Sequence, residues 1–254
     1  MAAPALIALA HASKDPRTAS TITALVDEVK SQRPDLRVER AFLEDPTLPL
    51  RAVKPAFQSV VDRLVKAGHD EIVVVPLVLS DVIPGSRAMT DAIAAATTRH
   101  PGLQVRASAI LGLEACFLEV LDERLREALK ESRIRELDAL VLAATGSTDA
   151  LANQSVARLA RQWGSHHKLP VTAAYAASAP PATGEAVRAF RGEGRRHIAV
   201  ASLFLTPGAL TDRAAELALE AGAVAVSEPL GAHPEVARVV LARYAVGAVE
   251  LVPV

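Results

Sequence analysis

A histidine, a serine and an aspartate follow closely on the first apolar run of this chain. The run covers residues 5–10, and His11, Ser13 and Asp15 come directly after it. An imidazole at the C-terminal end of a buried parallel strand can bind a metal ion or transfer protons near neutral pH. The alternative is that His11 only caps the turn and that Asp15 only caps the helix beginning at Pro16.

A second turn later in the chain repeats this pattern without the histidine. Ser147 and Asp149 follow the apolar run 139–144, and Thr145 takes the place of His11. Backbone N–H groups at a helix start favour anions, so two such turns would suit a ligand with several carboxylates. Ser147 is not predicted to be a hydrolase nucleophile because the spacing Gly-x-Ser-x-Gly is absent. Glycine-rich phosphate loops are also absent, which argues against a nucleotide-binding fold.

Acidic residues follow the next two predicted strands. Glu44 comes after the second strand and Asp81 after the third, so both could face the same site as His11. Each could equally be a solvated acidic residue of a turn. The pair His166 and His167 could bind a metal ion, but its place at a predicted helix end favours an exposed pair.

Apolar runs and amphipathic stretches alternate along the whole chain. Strands are predicted over 5–10, 36–42, 71–79, 103–109, 139–144, 170–175, 196–204 and 223–226. Helices are predicted over 17–31, 51–67, 87–98, 114–130, 150–163, 183–191, 210–221 and 233–245. This alternation predicts an α/β protein with parallel sheets and helices on both faces.

Three pairs of matched segments, in the same order, indicate a tandem duplication. The turns after the first and fifth strands match, as do 73–80 with 200–206 and 111–115 with 230–234. We predict two homologous halves, 1–130 and 138–254, each a four-stranded parallel sheet flanked by helices. The C-terminal loops of the two sheets are expected to face each other across a cleft, where a ligand would bind.

Composition excludes several classes of function. The 254 residues include 28 basic and 29 acidic side chains, which gives no support for a nucleic-acid or membrane-surface partner. The single cysteine, Cys116, excludes an internal disulfide and is predicted to lie in the core. We find no signal peptide and no apolar run long enough to span a membrane, and therefore expect a cytoplasmic protein.

Taken together, these segments resemble the class II small chelatases, the CbiX-type sirohydrochlorin cobaltochelatases and ferrochelatases, in their long duplicated form. The resemblance rests on 10–16, which is similar to the family's His-Gly-Ser-Arg-Asp-Pro signature, and on 42–44, 75–80, 204–208 and 212–213. It covers nearly the whole chain. It implies insertion of Co²⁺ or Fe²⁺ into sirohydrochlorin or a related tetrapyrrole, with His11 and Glu44 as catalytic residues. The family's second histidine would fall at or near Pro84 and is missing here.

The resemblance also implies roles for the other candidates. His11, Glu44 and Asp81 would bind the metal ion, while Ser13, Lys14 and Ser147 would bind substrate. No tightly bound cofactor is expected, because the divalent metal (Co²⁺, Fe²⁺ or Ni²⁺) is itself a substrate. The partners expected are the tetrapyrrole and the metal, with no nucleic acid and no membrane. A monomer is expected because the duplication replaces a dimer.

The missing histidine leaves other functions open. The chain could be a non-catalytic carrier of a tetrapyrrole or a metal on the chelatase fold, or an enzyme of the family with a changed substrate. His11, Ser13, Asp15 and Glu44 are all present, which favours an enzyme.

Overall fold

Strands and helices alternate throughout the computed structural model, which describes residues 3–44, 54–80, 86–134 and 136–251. The strands are β1 Ala5–His11, β2 Val38–Leu43, β3 Glu71–Pro76, β4 Gln104–Ala107, β5 Ala139–Ala144, β6 Val171–Tyr175, β7 Ile198–Leu203 and β8 Ala225–Val226. The helices are α1 Pro16–Gln32, α2 Phe57–Lys66, α3 Ser86–Arg99, α4 Phe117–Ser132, α5 Ala150–His167, α6 Thr183–Gly192, α7 Ala209–Glu220 and α8 Pro234–Val249.

The strands form two four-stranded sheets in which every pairing is parallel. The first sheet has the order β2-β1-β3-β4, and the second has the equivalent order β6-β5-β7-β8. The central strands are buried along almost their whole length, as expected for parallel strands covered on both faces. The predicted α/β class, with two four-stranded parallel sheets and flanking helices, is confirmed.

The first compact unit (unit 1) contains the first sheet with α1, α2, α3 and α8. One face of its sheet packs Ile7 and Leu9 against Phe57 and Leu64 of α2. On the other face α8 packs against α1, β3 and β4. The close approach of α8 to β3 depends on Gly247, where a Cβ atom would lie 2.8 Å from a methyl carbon of Val73.

The second compact unit (unit 2) is the continuous segment 113–231, which contains α4 and the second sheet with α5, α6 and α7. Helix α4 packs against β7 and β8. Although α4 comes from the first predicted half and α8 from the second, each belongs to the unit built around the other half's sheet. The compact units therefore differ from the predicted halves by one helix each.

Several local predictions are corrected by the structure. Strand β3 ends at Pro76 rather than at residue 79, and Val78 N–H then donates to the Pro76 carbonyl in a turn. Helix α5 continues past residue 163, so His166 and His167 lie in its last turn. Cys116 is half-buried at the start of α4 instead of lying in the core.

No helix within the described ranges is long and apolar enough to cross a membrane.

Candidate active site

His11 is the last residue of β1, which lies between β2 and β3 in the sheet of unit 1. Its Cα pairs in register with that of Leu43, the last residue of β2. Because strand residues alternate between faces, His11 falls on the face of Ile7 and Leu9, which α2 covers. The imidazole is partly buried at the edge of the sheet where open α/β folds bind ligands.

The turn after His11 is held by hydrogen bonds within itself. The Ser13 hydroxyl accepts the Asp15 N–H at 3.1 Å, and the Asp15 carboxylate accepts the Arg17 N–H at 2.9 Å. Asp15 is the N-cap of α1, and Pro16 occupies the first helical position. Asp15 therefore caps α1, which is the structural alternative that the sequence left open for it.

Arg17 also contacts Asp15 through its side chain, a contact that was not predicted from the sequence. The guanidinium Nε lies 3.0 and 3.1 Å from the two carboxylate oxygens. The hydrogen bond from the Arg17 side chain, followed by that from its backbone, lowers the pKa of Asp15. The Asp15 carboxylate therefore keeps its charge to lower pH than an aspartate with an ordinary pKa. An Asp-x-Arg spacing at a helix start was the available signal.

Glu44 lies one residue beyond the end of β2 and is exposed. It lines a groove of about 740 Å³ together with residues of α1, β2 and the start of α2. Within the part of the chain that the structure describes, no hydrogen bond or ion pair engages its carboxylate. The groove is also lined by four basic residues that were not predicted from the sequence: Lys30, Arg40, Lys54 and Arg63. These four residues are far apart in the sequence, so no local sequence pattern predicts that they line one groove.

The turn of unit 2 repeats the hydrogen bonds of the first turn. The Ser147 hydroxyl accepts the Asp149 N–H at 2.8 Å, and the Asp149 carboxylate accepts the Leu151 N–H at 2.9 Å. Ser147 is only 5% exposed. Its hydroxyl therefore has a local structural role, and contact with substrate stays a prediction.

An asparagine closes this second turn further. The side chain of Asn153 accepts the Ser147 N–H at 3.0 Å and donates to the Ser147 carbonyl at 2.7 Å. The Tyr175 hydroxyl donates to the backbone carbonyl of Asn153 at 2.9 Å. The backbone groups of Ser147 are therefore already satisfied within the protein.

The first turn has no equivalent of this closure. Ala19 stands six residues after Ser13, where the second turn has Asn153. Phe42 pairs with Ala10 as Tyr175 pairs with Ala144, so phenylalanine replaces the tyrosine hydroxyl. No side chain in the described ranges makes the corresponding bonds to the Ser13 backbone, so the two turns differ in this closure.

Of the remaining candidates, Lys14 is exposed in the first turn. Asp81 and the position of the missing histidine, Pro84, lie outside the described residues.

The sequence profile of the CbiX family matches this chain twice, over residues 5–128 and 139–246. The chain belongs to the CbiX family. The two matches correspond to the two predicted repeats, and the family that the sequence resembles is confirmed. No curated protein matches the chain in sequence.

Solved structures share the fold of this CbiX-family protein over nearly its whole length. SirB from Bacillus subtilis with Fe³⁺ is 20% identical, with a TM-score of 0.78 over 97% of this chain and 96% of SirB. The sirohydrochlorin chelatase SirB from Bacillus subtilis subspecies spizizenii, in complex with cobalt, is 19% identical, with a TM-score of 0.74 over 98% and 97%. CbiX, described as the terminal enzyme of siroheme biosynthesis in denitrifying bacteria, is 18% identical, with a TM-score of 0.67 over 98% and 100%. Membership of a family of enzymes supports the prediction that this chain is an enzyme.

Proposed function

We propose that this protein inserts a divalent metal ion, Co²⁺ or Fe²⁺, into sirohydrochlorin or a related tetrapyrrole. Membership of the CbiX family supports this activity, and the structural neighbour crystallised with cobalt is itself called a sirohydrochlorin chelatase. The observation that carries the proposal is His11, an imidazole at the C-terminal end of β1, one of the two central strands of unit 1.

Metal insertion exchanges one M²⁺ for two protons on pyrrole nitrogens. The entering ion must lose water ligands, and the two N–H protons must pass to a base. Neutral imidazole can do both in turn, since it binds Co²⁺ and Fe²⁺ and accepts a proton once the metal has left it. His11 is therefore assigned both roles.

Glu44 is assigned as the oxygen donor that assists His11. The register places it one residue beyond Leu43, the strand partner of His11, and its carboxylate has no partner in the described chain. A carboxylate can share the metal ion and relay the released protons to solvent. Asp81 stays the predicted third ligand.

Substrate carboxylates are assigned to the open first turn. The Ser13 backbone lies at the start of α1, where N–H groups and the helix dipole favour anions, and Lys14 is exposed beside it. Ser147 is the weaker assignment because its own turn is closed by Asn153.

The test is to incubate the protein with sirohydrochlorin and Co²⁺ or Fe²⁺ while following the absorption spectrum. Wild-type protein should metallate the tetrapyrrole faster than the uncatalysed reaction. His11→Ala should fall to the uncatalysed rate while keeping the far-UV circular dichroism of the fold, because ligand and base are lost together.

The matched control is His69→Ala, which removes another histidine of unit 1, from the α2–β3 connection at the opposite edge of the sheet. This variant should keep the wild-type rate. A wild-type protein that shifts the tetrapyrrole spectrum on binding without metallating it would contradict the enzyme and indicate the carrier. A His11→Ala variant as fast as wild type would contradict the site.

A further inference from the structure

Two histidines and an aspartate come together in unit 2, in a part of the fold that the proposed reaction does not use. Asp122 lies on α4, and His166 and His167 lie in the last turn of α5. One ligand atom from each of the three residues lies within 4.8 Å of the others. From the sequence these histidines were expected to be an exposed pair. They are exposed, but the fold also places the Asp122 carboxylate beside them.

The carboxylate of this cluster is held in place from the core. Trp163 is 0% exposed, and its indole N–H donates to Asp122 Oδ1 at 2.7 Å. The Nε2 atom of His167 lies 2.8 Å from the same oxygen. A hydrogen bond from a buried donor to a ligating carboxylate is the usual outer support of a metal site, because it fixes the orientation of the ligand.

The spacing of the donor atoms fits a small divalent ion after a modest movement of the rings. Donors at about 2.0–2.1 Å from a tetrahedral ion stand roughly 3.3 Å from one another. The His167–Asp122 distance is already shorter than this. The imidazole of His166 has its centroid 5.0 Å from that of His167, and its exposure leaves room for it to rotate toward the ion.

The donor set and its position select the class of ion. Two imidazoles with one carboxylate suit Zn²⁺, Co²⁺ and Ni²⁺ rather than Mg²⁺ or Ca²⁺, which prefer oxygen ligands. Both histidines lie at the C-terminal end of α5, where the helix dipole favours positive charge. Three protein ligands leave a fourth position for water.

We propose that Asp122, His166 and His167 form a second binding site for Co²⁺, Ni²⁺ or Zn²⁺, in unit 2 and separate from His11. The ion binds between His167 Nε2 and the Asp122 carboxylate, any proton on that nitrogen passes to solvent, and the exposed His166 completes the set. This site binds metal without the tetrapyrrole, so it can be tested independently of the proposed reaction.

The experiment uses the full chain carrying His11→Ala, so that binding in unit 1 does not obscure the result. Titration with Co²⁺ alone should show one equivalent bound, with the intense visible absorption of a four-coordinate cobalt ion. Trp163 is the only tryptophan and touches the site through Asp122, so Co²⁺ should also quench its fluorescence.

Adding His167→Ala or His166→Ala should weaken Co²⁺ binding at least tenfold and remove the quenching. Both side chains are exposed, and an unchanged far-UV circular dichroism spectrum before metal is added shows that the fold is kept. The matched control is His197→Ala, because His197 is a lone exposed imidazole 4.0 Å from the Asp138 carboxylate. It should leave the titration unchanged. Absence of a stoichiometric equivalent, or equal binding by the His167→Ala protein, would overturn the proposal.

Discussion

The turns after β1 and β5 share one hydrogen-bond pattern but differ at the residues that decide their chemistry. In both turns a serine hydroxyl accepts an aspartate N–H, and the aspartate then caps a helix. His11 stands in the first turn where Thr145 stands in the second. Only the second turn is closed by an asparagine. The histidine and the turn without this asparagine therefore occur together, in unit 1.

At Glu44 we expect the carboxylate to matter for rate rather than for stability. Glu44→Gln should lower the rate of metal insertion by roughly 10²-fold, the scale of a lost general base or acid, and leave the melting temperature unchanged because the side chain is exposed. The measurement is initial metallation rate against tetrapyrrole concentration, with thermal unfolding alongside.

The matched control for this variant is Glu39→Gln in the same groove. Its carboxylate is paired with Arg37 and, at 3.4 Å, with Arg63. Glu39→Gln should keep the wild-type rate. Equal losses in both variants would mean that the groove needs negative charge in general and that Glu44 has no specific part.

Site residues could be predicted from the sequence only where the pattern that identifies them lies within a few positions of the residue itself. His11, Ser13 and Asp15 were visible because each lies within a few positions of a strand end or a helix start. Asp122 and His167 are 45 positions apart, and only the packing of α4 and α5 in one unit brings them together. The closure by Asn153 was not predicted because the sequence does not show whether an asparagine in the first turn of a helix faces solvent or the preceding loop. Its bonds to Ser147 depend on the conformation of that loop.

At the level of elements, the close packing of α8 on β3 depends on a glycine, Gly247, which has no side chain at the contact. Gly247 is buried, and a methyl group there would lie 2.8 Å from Val73 Cγ1 and 3.4 Å from Ser108 Cβ. Gly247→Ala should therefore lower the free energy of unfolding by about 1–3 kcal/mol, the typical cost of overpacking, despite the better helix propensity of alanine. Urea unfolding followed by circular dichroism measures the change.

Gly192, in α6, offers the matched control for Gly247→Ala. It is the last residue of α6 and is exposed, and an added Cβ meets nothing within 4 Å. Gly192→Ala should leave stability unchanged or raise it by up to about 1 kcal/mol. If Gly247→Ala behaves in the same way, α8 does not pack on β3 as closely as described.

At the scale of the whole molecule, the sequence repeat 138–254 and the compact unit 113–231 have different bounds, and their stabilities can be compared by experiment. Segment 113–231 contains the second sheet with every helix that packs in unit 2, whereas 138–254 has the same sheet without α4. We expect 113–231 to fold alone and to show the blue-shifted emission of a buried Trp163. The segment 138–254 should be markedly less stable, because β7, β8 and the Trp163 indole lose their cover. Urea unfolding of both segments is the measurement, and a more stable 138–254 would contradict the packing of α4.

The overall architecture was within reach of sequence reasoning, while the assignment of helices to sheets was not. Buried parallel strands read as continuous apolar runs, and the matched turns indicated two copies, so the class, the sheets and the duplication were predictable. Periodicity identifies an apolar face on α4, while α8 is apolar over much of its surface, and neither pattern says which sheet the helix covers. The predicted cleft, monomeric state and cytoplasmic location stay predictions.

The exchange of α4 and α8 also bears on how such a chain could arise. A single repeat standing alone would carry its fourth helix but would have nothing to cover the sheet face that this helix leaves bare. Two identical copies that exchange this helix would cover each other's exposed sheet face, which makes a domain-swapped dimer. Joining such copies end to end would place the fourth helix of each repeat in the unit of the other repeat, as α4 and α8 are placed here. Once joined, the two repeats could diverge separately, as the turns after β1 and β5 have.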